Sequence, residues 1–260
     1  MQLSMPGRNA LITGGSMGIG RAIATRFVES GANVAIVARN QASLDEAKAE
    51  IQKAGGGKVV TVSADVATAD GCSKAFSEAV AALGQIDVLV NNAGSSKRDD
   101  FVNITDEIWQ ADLDLKLFGA IRLTRQAFPG MKERRWGRVI NILNTGSKAP
   151  PASGAPTAVT RAAGLALTKV LAGEGAPHNV LVNALLVGRI ESNQWVKRHA
   201  TENKGRSIDA FYDEMGQMIP MGRVGTSEEF ANMACFLASD QGSYVTGTAI
   251  NVDGGLCPVV

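Results

Sequence analysis

Cysteine is scarce in this chain. Three occur among 260 residues, at Cys72, Cys235 and Cys257. An odd, widely spaced set supports neither a disulfide framework nor a zinc site, and it fits buried thiols in a reducing compartment. Histidine is rarer, with only His178 and His199 present, so no metal site is expected. No apolar run approaches the roughly 20 residues that span a bilayer. The formal net charge is +1, which gives no global attraction for nucleic acid or anionic membrane, and neither is expected as a partner. Residues 1–7 show no basic region followed by an apolar stretch, so the expected location is cytoplasmic. Tyrosine is also rare: Tyr212 and Tyr244 are the whole complement.

Glycine is abundant, and its placement is informative. The run Thr13-Gly14-Gly15-Ser16-Met17-Gly18-Ile19-Gly20 lies between the apolar Ala10-Leu11-Ile12 and an amphipathic stretch beginning at Ile19. This reads as a strand, a tight turn and a helix start. A helix N-terminus offers unpaired N–H groups and the positive end of the peptide dipole. Glycines let a diphosphate approach that end with no Cβ in the way. Placement between strand and helix is what turns a glycine run into a dinucleotide fingerprint.

The remaining chain alternates in the same manner. Strands are expected at 9–12, 33–38, 58–63, 88–90, 138–143, 180–185 and 248–252. Helices are expected at 19–30, 41–54, 67–83, 106–131, 158–173 and 227–237. Several strands are apolar runs without polar alternation, as in sheets covered on both faces. The pattern predicts an α/β fold: one Rossmann-like, doubly wound domain over residues 1–260, with a parallel sheet of about seven strands. One excursion, 188–221, is too long for an ordinary connection. It holds Trp195, Phe211, Tyr212, Met215, Met218 and Ile219. It reads as a lid whose apolar groups wall a substrate pocket, and also as a small helical pair packed on the body, two compatible readings of which the lid is favoured.

Cofactor contacts are expected where strands end. The second strand ends at Val37-Ala38-Arg39-Asn40, with no acidic residue to hydrogen-bond a ribose 2′-hydroxyl. Arg39 offers a planar fork suited to a 2′-phosphate, which favours NADP(H) over NAD(H), although a solvated surface arginine is the plainer alternative. Ser16 adds a hydroxyl to the phosphate turn. Asp65-Val66 follows the third strand, where a carboxylate suits an adenine amino group. Asn91-Asn92-Ala93-Gly94 follows the fourth, with small residues that permit close approach.

These pieces resemble the short-chain dehydrogenase/reductase family. The resemblance is carried by Thr13–Gly20, Asp65-Val66, Asn91–Gly94, Gly137-Arg138-Val139-Ile140-Asn141-Ile142, Val182-Asn183-Ala184 and the run from Tyr244 to Gly255. It implies a nicotinamide-dinucleotide fold with cofactor contacts at Gly14, Ser16, Met17, Gly18, Ile19, Gly20, Arg39, Asp65, Val66, Asn91, Ala93, Gly94 and Gly188. It also implies a homodimer or homotetramer built partly on the helices 106–131 and 158–173.

The resemblance further implies four catalytic residues: asparagine, serine, tyrosine and lysine. Spacing from the matched motifs puts Lys116, Asn144, Thr157 and Arg161 at those positions. A phenol titrates near 10 and is readily pulled toward neutrality, whereas a threonine hydroxyl is a poor proton donor. Arg161 can hold ribose hydroxyls as well as a substrate-side cofactor contact, but it does not give up its proton. Asn144 can polarise a carbonyl through its amide N–H, with Thr157 helping to orient the substrate oxygen. Loss of positioned acid–base help typically costs about 10²–10⁴ in rate. Lys116 is the leading candidate proton donor, because burial beside Arg161 lowers an ammonium pKa. A solvated helix lysine is the plainer alternative, and Tyr212 is a second candidate if the excursion closes over the site.

Three functions remain open on sequence alone. The first is an NADP(H)-dependent oxidoreductase acting between a carbonyl and an alcohol on a small, apolar substrate, through a rebuilt site. The second is an NADP(H)-binding protein with little redox activity, serving as a sensor or partner subunit. The third is a non-redox isomerase or lyase.

Overall fold

The computed structural model of the protein describes residues 3–201, 205 and 207–260. Its first half runs β1 (Asn9–Thr13), α1 (Gly18–Glu29), β2 (Asn33–Ala38), α2 (Gln41–Gln52), β3 (Val59–Ser63), α3 (Ala69–Leu83) and β4 (Val88–Asn91). Then come α4 (Asp106–Leu113), α5 (Gly119–Glu133), β5 (Gly137–Asn144), α6 (Thr157–Gly175) and β6 (Val180–Val187). The chain closes with α7 (Asn193–Thr201), α8 (Ile208–Gly216), α9 (Ser227–Ala238) and β7 (Ala249–Val252).

All seven strands pair in parallel, in the order β3-β2-β1-β4-β5-β6-β7. The chain winds outward from β1 to β3, then returns to the other side of β1 with β4. That reversal opens a crevice at the carboxyl ends of β1 and β4, where ligands of such sheets sit. Successive strand residues face opposite layers. Ala10 and Ile12 of β1 pack with Ile23 and Phe27 of α1, Leu44 of α2 and Phe230 of α9. Leu11, between them, faces Ala75 of α3, Leu123 of α5 and Ala172 of α6. The sheet is thus covered on both faces, as its unalternating apolar strands require.

One element departs from the sequence expectation, and two others gain detail that the sequence did not carry. The single helix expected over 106–131 is interrupted: α4 and α5 are joined through a π-helical turn, Asp114–Phe118. Such turns carry one extra residue and rotate the side chains that follow. Helical periodicity alone does not reveal one. The start of α9 is capped by Thr226, the residue just before the helix expected from 227. Its hydroxyl accepts from the Glu229 N–H while the Glu229 carboxylate accepts from the Thr226 N–H, forming a complete capping box.

The 188–221 excursion contains the helical pair α7 and α8, as one reading of the sequence expects. Met215, Ile219 and Val224 form a small core of their own, with Trp195, Phe211, Tyr212 and Leu256 packed against it. The rings of Trp195 and Phe211 lie 6.4 Å apart, and those of Phe211 and Tyr212 lie 6.1 Å apart. These apolar groups hold the pair together, and Tyr212 also lines a groove with Gly18, Arg21 and Asn232. Met218 is exposed.

Candidate functional site

The phosphate turn has the shape its glycines require. Gly14 and Gly18 have φ of +65° and +51°, values L side chains rarely adopt. A Cβ on Gly20 would lie 2.2 Å from the Gly14 carbonyl oxygen, so only glycine lets α1 start this close to β1. Met17 precedes the first turn of α1 without a side-chain cap hydrogen bond. The opening N–H groups of α1 are left for an anionic ligand. Ser16 is buried in this turn, and Arg39 is exposed at the end of β2. The Asp65 carboxylate accepts from the Ala67 N–H, which holds the turn after β3, with Val66 buried beside it. The turn and its exposed N–H groups fit the dinucleotide inferred from sequence.

The β4 end is fixed by side chains of the motifs themselves. The Thr13 hydroxyl accepts from the N–H groups of Asn92 and Ala93, both at 2.9 Å. Asn92 Nδ2 donates to the Thr13 and Gly14 carbonyls. Asn91 donates to Asn141 on β5, and Asn141 donates to Thr168 on α6. These pairs join positions up to 80 residues apart, so only the folded topology brings them together.

Four of the five proposed catalytic residues assemble at the crevice. Asn144 is the last residue of β5. Its Oδ1 is buried and has no hydrogen-bond partner among the described residues. Thr157 opens α6, and Arg161 follows one turn later. Lys116 lies in the π turn, where its ammonium donates to the Thr157 hydroxyl at 2.8 Å. It also forms a short, buried ion pair with Asp112 of α4. Lys116 is therefore no solvated helix lysine. Burial pulls its pKa down to about 8, against the Asp112 hydrogen bond and with help from Arg161 and Lys97.

Arg161 is nearer to unsatisfied. Its Nη1 donates to the Ile142 carbonyl oxygen, while Nε is buried with no partner among the described residues. Its Nη2 lies beside Gly94, where a Cβ would approach within 3.0 Å. Burial lowers the Arg161 pKa to about 10, which leaves it charged at neutral pH. A cavity of about 20 Å³ lies among Asn91, Lys116, Asn141 and Arg161, room for roughly one water.

Thr157 has a different task from the one expected. Its hydroxyl donates to the Lys97 carbonyl oxygen at 2.7 Å, and accepts from Lys116 and from the Lys97 N–H. The residue is 1% exposed. A hydroxyl saturated in this way pins the loop after β4 and has no bond left for a substrate oxygen. Tyr212 is not brought to this cluster. It sits on α8 and lines a separate groove with Gly18, Arg21, Glu191 and Asn232. Burial and Glu191 push its phenol pKa up, away from proton donation near neutrality. Gly188, at the end of β6, packs so closely on Asp253 that a Cβ would clash at 2.4 Å.

Comparison with known proteins agrees with this architecture. The family described as "Enoyl-(Acyl carrier protein) reductase" matches residues 14–257. A 3-oxoacyl-acyl-carrier-protein reductase, FabG, of Aquifex aeolicus is 34% identical over 256 residues, covering 98% of this chain and 100% of that protein. The crystal structure of L-sorbose reductase from Gluconobacter frateurii, complexed with NADPH and L-sorbose, superposes with a TM-score of 0.95. It is 33% identical and fully covered in both chains. YwfH, described as an NADPH-dependent reductase involved in bacilysin biosynthesis, gives 0.89 at 31% identity, covering 97% of this chain and 99% of that one. The chain belongs to the short-chain dehydrogenase/reductase family.

Proposed function

We propose that this protein is an NADP(H)-dependent oxidoreductase that interconverts a carbonyl and an alcohol on a small substrate, using a rebuilt catalytic site. One observation carries the reading. At the positions where the family resemblance implies asparagine, serine, tyrosine and lysine, the chain holds polar side chains, with Lys116 bonded to Thr157 and Asp112, rather than an inert apolar fill. Arg39, with no acidic neighbour at the end of β2, supports the phosphorylated coenzyme. The NADPH complex of the sorbose reductase and the NADPH dependence described for YwfH support it as well.

The residues divide the work as follows. The first turn of α1, with Gly14, Ser16 and Ile19, holds the diphosphate. Arg161 holds the ribose next to the reacting ring through Nη2, which lies beside Gly94. The bound coenzyme supplies or accepts the hydride. The Asn144 side-chain N–H orients and polarises the substrate oxygen. An ammonium has three donors, and Lys116 uses two of them, on Asp112 and Thr157. The third delivers the proton to the substrate oxygen during reduction and recovers it during oxidation.

The test is NADPH fluorescence followed by turnover over a carbonyl panel. Lys116→Met, made together with Asp112→Asn so that no buried carboxylate is left unpaired, is expected to lower kcat by about 10²–10⁴ with coenzyme binding retained. Full turnover in that pair removes Lys116 from the chemistry. Tight NADPH binding with no turnover across the panel favours the sensor or partner-subunit reading instead.

A further inference from the structure

Lys116 and Arg161 approach the same place. A Cβ on Gly94 would lie 3.0 Å from Arg161 Nη2 and 3.7 Å from Lys116 Cε, so both cations converge on the turn after β4. Like charges held close together away from water disfavour each other's charged forms. The guanidinium keeps its proton, so the pressure to lose one falls on the ammonium. An ammonium that acts as an acid at this site therefore needs a group that holds it charged.

Asp112 is that group. It lies on α4, four residues before Lys116, and its carboxylate pairs with the ammonium. An acid on the N-terminal side of a lysine at this spacing is the favourable order. The two side chains are 1% and 4% exposed. Oδ1 accepts from Lys116, while Oδ2 is buried with no partner among the described residues. The same carboxylate opposes burial at Arg161. Among the described residues no other carboxylate pairs with either cation. Asp114, in the π turn itself, is turned to Arg122 of α5, which also donates to the Ala67 carbonyl oxygen. Lys97, in the loop after β4, adds only positive charge.

The pair also sets a direction. Two of the three Lys116 N–H bonds are taken by fixed acceptors on different elements, Asp112 Oδ1 on α4 and Thr157 Oγ1 on α6. Thr157 is in turn held by both backbone groups of Lys97. Two fixed bonds define where the third N–H points. We propose that Asp112 is a positioning residue for the proton transfer: it aims the Lys116 N–H that meets the substrate oxygen and keeps the ammonium charged through neutral pH. This rests on the oxidoreductase reading. Asp112 acts through Lys116 and touches neither substrate nor coenzyme. The Nζ–H bond that breaks is replaced by an O–H bond on the product. The neutral amine then regains its proton from solvent, a return that the Asp112 charge favours.

The experiment follows the pH dependence of carbonyl reduction in Asp112→Asn, which removes the charge and keeps the volume. The alkaline limb is expected to move down by at least about one pH unit, so that kcat at pH 8 falls about tenfold below its acid plateau. Asp112→Glu, which retains the charge, is expected to keep the native limb, and Asp112→Ser takes the place of Asp112→Asn if that variant fails to fold. A limb that stays in place while kcat drops equally at every pH marks a structural ion pair and overturns the proposal. A second readout needs no turnover. In carbon NMR of protein labelled at lysine Cε, the resonance lost in Lys116→Met/Asp112→Asn belongs to Lys116, and its titration midpoint is expected to fall in Asp112→Asn as the limb does. An unmoved midpoint overturns the role of Asp112. A native protein that binds NADPH and reduces no carbonyl overturns the oxidoreductase reading instead, and the lysine midpoint tells the two failures apart.

Discussion

Lys116 is the residue on which the chemistry turns, and its environment gives it a testable signature. Asp112 faces it from α4, Arg161 from α6 and Lys97 from the loop after β4. Burial outweighs the carboxylate and leaves the ammonium titrating at about 8. An ammonium that donates the proton during reduction is competent only below its pKa. Carbonyl reduction is therefore expected to hold up to about pH 8 and then to fall roughly tenfold per pH unit, with the opposite trend for alcohol oxidation. A pH–rate profile of kcat in both directions checks this, and a flat profile between pH 7 and 9.5 excludes Lys116 as donor. The sequence anticipated that burial beside Arg161 lowers the lysine pKa. It did not reveal that Thr157 is consumed by Lys97, because that contact joins residues 60 apart and leaves no local pattern.

Elements were easier to read than their interruptions. Strands and most helices were visible as apolar periodicity and turn chemistry, and every strand lies within a residue or two of its expected place. The π turn at Asp114–Phe118 was not visible, because one extra residue does not disturb the apolar spacing on either side. It nevertheless sits where Lys116 meets Asp112 and Thr157, so the hidden irregularity is the one that builds the site. The cap of α9 shows the same limit on a finer scale, since Thr226 and Ser227 are both competent caps and only geometry chooses. Thr226→Ala removes the Glu229 N–H acceptor and is expected to cost about 1 kcal/mol, read as a lower urea midpoint with an unchanged m-value. Ser227→Ala is expected to cost less.

At the scale of the whole molecule, the sheet order and its two covered faces follow from alternation and from strands that are apolar throughout. Assembly is a separate matter. Val159 and Val170 are exposed on α6, and eleven residues bring them back to the same side of the helix. Phe118, at the start of α5, is exposed as well. Together they support the homodimer or homotetramer expected from the family resemblance. Light scattering coupled to gel filtration is expected to report two or four chains, and Val159→Lys/Val170→Lys to shift the population toward smaller species. A monomer at micromolar concentration removes that expectation.

The bond between Thr157 and both backbone groups of Lys97 has one more consequence. It welds the rim after β4 to the first turn of α6, so those two stretches travel as a single block. A visitor to the crevice finds no gate on that flank. Whatever breathing the cleft needs must come from elements other than these two.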